Sequence, residues 1–144
     1  MSYRFYGWQE PVVIEDPELP GIRSQRDLYD ILAESWCAET CTPRMRKDWS
    51  DENKTLGQCS ITAFLVQDIC GGQVFGIPLH DGNFHCFNVV DGHTFDLTSE
   101  QFQDQLDYSD CYEQFREKHF ARQEKKERYE LLKSIFLQKA AKTV

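Results

Sequence analysis

The chain has 144 residues, 40% of them hydrophobic and 13% aromatic, which suits one folded domain with a modest core. Its net charge of −8 repels phosphate backbones and anionic lipid, so neither nucleic-acid nor membrane binding is expected. With no run of 18 apolar residues and no basic, apolar, small-residue order at the start, a cytoplasmic chain is expected, its six cysteines reduced.

Residues 1–23 carry Pro11, Pro17, Pro20 and Gly21 and read as an extended arm, with Trp8, Val12, Val13 and Ile14 available to pin it down. A single domain is expected over 24–144. Ser24 opens a first helix, and Leu28, Ile31, Leu32, Ser35 and Trp36 recur at three-four spacing to about Ala38. Cys37 and Cys41 have a loose zinc-site spacing, but no companion pair follows, so two half-buried thiols are expected and no metal site. Residues 42–54 form a polar loop whose cations, Arg44, Arg46 and Lys47, lead into the next helix.

That helix begins at Gly57-Gln58-Cys59 and ends at Gly71-Gly72. Ile61, Phe64, Leu65 and Ile69 share one face, and Thr55 and Gln58 have capping-box spacing. A cysteine in the first helical turn meets unpaired N–H groups and the positive end of the macrodipole, so its thiolate is stabilised.

Three strand-like runs follow at 73–79, 83–90 and 93–97, separated by Asp81-Gly82 and Asp91-Gly92. Asp-Gly in a two-residue primed turn fixes the register of the strands it joins. Placing Val90 opposite His93 puts Phe87 opposite Asp96 and His85 opposite Thr98. Side chains alternate, so His85, Phe87, Asp96 and Thr98 share one side and Phe84, Cys86, Asn88, Phe95 and Leu97 the other. Asp96 is then a diagonal neighbour of His85, within reach of its ring. Thr98 and Gln101 open a short helix through Leu106. From about Tyr112 the chain reads as a helix, where Lys and Arg outnumber Glu, so this mildly basic tail is expected to dock on its own acidic body or on a partner.

Cys59, His85 and Asp96 together have the chemistry of thiol acyl transfer. The sulfur attacks, the imidazole takes and returns a proton, and the carboxylate fixes the ring's tautomer. Each residue alone has an ordinary structural explanation, and the pattern gains weight only jointly. That pattern requires the helix to pack on the sheet face bearing His85 and Asp96. The Cys59 N–H is the expected oxyanion donor, with the Gln58 side chain in support. Asn88 is a second candidate to orient the imidazole, although the register puts it on the wrong side. His80, His93 and His119 are tied to no nucleophile by spacing. Motifs for phosphate, dinucleotide or catalytic zinc are absent, so no cofactor is expected.

Ser35-Trp36, Glu39-Thr40, Gly57-Gln58-Cys59 with Thr62-Ala63, Gly71-Gly72, His85 with Phe87-Asn88, Asp91-Gly92, Asp96-Leu97-Thr98 and Arg128-Tyr129-Glu130-Leu131-Leu132 resemble the YunG-like family of small bacterial proteins over about residues 24–136. That family supplies no activity to carry over. Separately, Gly57-Gln58-Cys59 is similar to the active-site motif of transglutaminases, and the order cysteine, histidine, aspartate is that of transglutaminase-like and NlpC-type enzymes of the papain-like fold. This second resemblance implies an α+β papain-like core, a central helix on a small antiparallel sheet with flanking helices, and a thiol site at Cys59, His85 and Asp96. The expected function is a cysteine-dependent hydrolase or acyltransferase acting on an amide or ester carbonyl. The alternative is a protein-binding module, or a structural domain, that keeps the fold. The expected substrate is a small molecule, a peptide or a protein.

Overall fold

The computed structural model describes residues 3–102 and 106–142. Helix α1 (Gln25–Ala33) is followed by 3-10 turns at Ala38–Thr40 and Pro43–Asp48, then by helix α2 (Cys59–Cys70). Strands β1 (Gln73–Pro78), β2 (Phe84–Val90) and β3 (His93–Phe95) come next, then a 3-10 turn at Ser99–Phe102. Strand β4 (Tyr112–Gln114), the short helix α3 (Arg116–His119) and helix α4 (Gln123–Ala141) complete a mixed α+β fold. Its sheet is antiparallel, in the order β3-β2-β1-β4.

Helix α2 is the centre of the core. Residues 61–66 are all buried, so it is covered on both sides rather than along one stripe. The sheet covers one side; α4, with α1 behind it, covers the other. Gly71 ends α2 at φ +74, its N–H returning to the Gln67 carbonyl at 2.8 Å. The Asp91-Gly92 turn has positive φ at both residues, 51° and 78°, as a type I′ turn requires, and it pairs Val90 with His93 as the sequence predicts.

Four expectations need correction. Helix α1 stops at Ala33, not near Ala38, because the Ser35 hydroxyl turns back onto the Ile31 carbonyl at 2.7 Å and the chain leaves the helical path. Residues 112–114 are not the start of a helix but a strand, pairing with Gly76, Phe75 and Val74 along the otherwise open edge of β1. The basic tail docks through a stripe of buried apolar residues, Tyr129, Leu132, Phe136 and Ala140, rather than chiefly through charge. The short helix predicted through Leu106 is a 3-10 turn as far as Phe102; residues 103–105 lie outside the described residues.

The arm is extended as predicted, but it is a built part of the core. Phe5, Val12, Ile14 and Ile22 are buried, whereas Val13 is exposed. Gln25, fully buried at the start of α1, holds the arm. Its Oε1 accepts from the Val12 N–H at 2.7 Å, and its Nε2 donates to the carbonyls of Gly7 and Glu10 at 3.0 and 2.8 Å. No helix among the described residues is long and apolar enough to cross a membrane.

Candidate active site

Gly57 sets the approach to the site. Its φ is +69, and a Cβ there would come within 2.6 Å of the Cys41 sulfur, so the turn needs glycine. Helix α2 then starts at Cys59 with no side-chain cap from Gln58, which leaves the N–H groups of its first turn open to a ligand. The predicted capping box does not form. Thr55 Oγ1 is buried without a partner, and Gln58 is fully buried with its amide turned away, Nε2 donating to the Cys37 carbonyl at 3.1 Å. Gln58 therefore braces the 37–41 segment instead of facing the thiol as an oxyanion donor.

Strand β2 supplies the imidazole. His85 is fully buried, and its Nε2 shares a 2.6 Å hydrogen bond with Asp96 Oδ2. Asp96 is held from all sides: Tyr108 donates its hydroxyl to Oδ2 at 2.7 Å, and the Thr98 N–H and hydroxyl donate to Oδ1 at 3.2 and 3.3 Å. The Asp96 N–H donates to the Tyr6 carbonyl at 2.9 Å, so the arm anchors the backbone behind the carboxylate. With Nε2 committed to Asp96, Nδ1 is the atom that remains, and it has no hydrogen-bond partner.

The sulfur does not reach His85 across the expected sheet face. Helix α2 packs on the opposite face, where Asn88 Nδ2 donates to the Ala63 carbonyl at 2.9 Å and Cys86, Val90 and Phe95 join the core. Asn88 is thus a strut between strand and helix and does not orient the imidazole. Contact is made instead at the edge of β2. Pairing between β2 and β3 ends at Asn88 and Phe95, and beyond it the half-buried Cys59 meets the strand, with Sγ 3.8 Å from the Phe84 carbonyl. The neighbouring Cys86, through its side chain and backbone, and His85 both act on this sulfur.

The electrostatics follow from that packing. Hydrogen bonding from Cys86 holds the Cys59 thiol well below its ordinary value, His85 adds to this, and burial opposes it without prevailing. Cys86 moves the other way, kept protonated by its bond to Cys59 and by burial. Burial alone would push His85 down, but the Asp96 charge and hydrogen bond, joined by Cys59, raise it to about 10. Both shifts run in the direction that favours a charged sulfur beside a charged ring. Burial and Asp96 raise the Tyr108 phenol, so it remains a donor.

Sequence reasoning missed Cys86, Tyr108 and His119. Cys86 faces away from His85 along the strand, and Tyr108 sits in an irregular stretch with no periodicity to give it away. His119 stacks near Phe64, with ring centroids 4.9 Å apart, and burial together with Lys125 and Arg128 lowers it to about 4, so its ring is neutral. Its Nε2 is buried without a partner, as are Gln58 Oε1 and His85 Nδ1. Buried polar atoms are nearly always paired, so the unpaired His85 Nδ1 and His119 Nε2, on two rings electrostatically coupled to the Cys59 sulfur, stand out. Two surface depressions, one along residues 14–23 and one between residues 4–10 and 92–94, do not include Cys59. Cys37 and Cys41 are free thiols, and no three His, Cys, Asp or Glu side chains among the described residues are grouped to hold a metal.

A family description, "YunG protein", matches residues 24–141. The chain belongs to the YunG family. The matched span runs from the N-cap of α1 to the end of α4, so it contains Cys59, His85 and Asp96 and leaves the arm outside. A relative, "Uncharacterized protein YunG" of Bacillus subtilis (strain 168), is 36% identical over 78 residues, which is 54% of this chain and 63% of the relative. The alignment thus spans less than two thirds of that YunG protein. No solved structure matches the chain.

Proposed function

We propose that this YunG protein is a papain-like, cysteine-dependent hydrolase or acyltransferase acting on an amide or ester carbonyl. Cys59 is the nucleophile, His85 the proton carrier and Asp96 the group that orients it. The observation that carries this reading is the 2.6 Å bond from His85 Nε2 to Asp96, which leaves Nδ1 unpaired beside a thiol in the first turn of a helix. In the first step the Cys59 thiolate adds to the carbonyl carbon, and the N–H groups at the start of α2 stabilise the oxyanion. His85 Nδ1–H then protonates the departing amine or alcohol, leaving a thioester on Cys59. In the second step His85 takes a proton from water or an acceptor nucleophile, which adds to the thioester and frees the sulfur. The order of a helix-start cysteine, a strand histidine and a carboxylate just beyond the next strand supports kinship with transglutaminase-like and NlpC-type enzymes.

The activated ester p-nitrophenyl acetate tests this without knowledge of the natural substrate. The expected result is a burst of one equivalent of p-nitrophenolate, with one acetyl group mapped to Cys59 by peptide mass spectrometry. Cys59→Ser should abolish the burst, and His85→Gln should slow it by about 100-fold or more. An unchanged burst in folded Cys59→Ser would overturn the proposal.

A further inference from the structure

Cys86 is a nucleophilic side chain that the acyl-transfer chemistry does not use. It is 5% exposed on β2, next to His85 in sequence but on the α2 side of the sheet. Cys59 packs against the same core cluster, with its sulfur 3.8 Å from the Phe84 carbonyl two residues earlier on the strand. The Cys59 and Cys86 side chains are close enough to perturb one another, lowering the one thiol and raising the other. We infer that Cys59 and Cys86 form a dithiol which a hydroperoxide oxidises to an intramolecular disulfide, giving the site a reversible oxidative modification. The inference needs only the two sulfurs and the imidazole, and it stands whether or not the protein transfers acyl groups.

The steps balance. The Cys59 thiolate attacks the distal oxygen of the hydroperoxide; an S–O bond forms, the O–O bond breaks, and the departing alkoxide or hydroxide takes the proton from His85 Nδ1. Sulfur has lost two electrons to the peroxide and is a sulfenic acid. Cys86 then gives its proton to the departing oxygen as its sulfur attacks the Cys59 sulfur. An S–S bond forms, the S–O bond breaks, and the hydroxide leaves as water with that proton. Two thiols and one hydroperoxide give one disulfide, one alcohol or water, and one further water.

Cys70 is pushed up to about 12 by burial and Asp91, and burial also raises Cys41, so both are poor nucleophiles at neutral pH. The first turn of α2 lacks a side-chain cap to fix it, and closing the pair requires the two sulfurs to come to about 2.05 Å.

The reduced full-length protein, treated with one to two equivalents of hydrogen peroxide and quenched with N-ethylmaleimide, provides the test. Peptide mapping should show a Cys59–Cys86 linked peptide holding most of the oxidised Cys59, and dithiothreitol should restore both thiols. In Cys86→Ser the same dose should leave a dimedone-reactive sulfenic acid at Cys59 that proceeds to sulfinic acid. Phenylarsine oxide, which bridges two neighbouring sulfurs, should protect Cys59 and Cys86 together in the untreated wild type, a readout that needs no variant. Sulfinic acid on wild-type Cys59 with Cys86 still free to alkylate, or a disulfide to any other cysteine, would overturn the inference.

Discussion

His85 shows how one side chain sets the character of a site. A fully buried imidazole would normally shed its proton, yet the carboxylate 2.6 Å away reverses that preference. Asp96→Asn keeps the shape and removes the charge, so burial should then prevail. An NMR titration of the His85 ring should show its pKa falling by several units from about 10; an unmoved pKa would mean that Asp96 is not the cause. The pair also has a signature in stability. His85 is raised from 6.5, so its contribution is complete below about pH 6.5 and is lost as pH climbs through about 10. His119 has the opposite sign: lowered from 6.5 to about 4, it withdraws stability as pH falls through that interval. Urea unfolding at pH 7 and pH 4.5 should therefore show a smaller loss on acidification in His119→Gln than in the wild type.

At the level of elements, the two sides of β2 do different jobs, and substitutions should separate them. Asn88→Ala removes the strut to the Ala63 carbonyl and should lower stability by about 1–3 kcal/mol while leaving the Cys59 alkylation rate within about twofold. Gly57→Ala forces a Cβ against the Cys41 sulfur at positive φ; a drop of several degrees in Tm is expected by calorimetry. The His85–Asp96 pairing was legible in the sequence because it depends on local rules, a primed turn at Asp91-Gly92 and the two-residue alternation of strands. The side of the sheet that α2 covers was not, because it depends on α1, α4 and the arm, which no short window contains. A helix on the other face reaches His85 only because β3 stops pairing at Phe95 and leaves the β2 edge to Cys59. Strand β4 was invisible for a simpler reason: three residues, Tyr112 to Gln114, are too few to show alternation, and the pairing comes from the edge of β1.

For the whole molecule, α4 joins core and site. Its apolar stripe seals α2, Arg128 donates to the Thr40 carbonyl at 2.9 Å, and its first turns bring Lys125 toward Cys86 and His119. Because that docking is apolar, Leu132→Ala should reduce stability by about 2–5 kcal/mol, and the loss should be nearly the same in low and high salt; a loss that vanished in high salt would point to charge instead. The fold thus gathers the candidate site from parts that lie far apart along the chain: the turn at Gly57, the start of α2, the edge of β2 and a carboxylate braced by the arm. The central claim is that Cys59 is ionised by this assembly at neutral pH. The most direct measurement is the rate of Cys59 alkylation by iodoacetamide from pH 5 to 10, followed by mass spectrometry in the wild type and in His85→Ala. A wild-type rate already near its plateau at pH 7, with the rise displaced toward alkaline pH in His85→Ala, is the predicted result. A wild-type rate that climbs only around the ordinary thiol value of about 8.5, and coincides with that of His85→Ala, would contradict it.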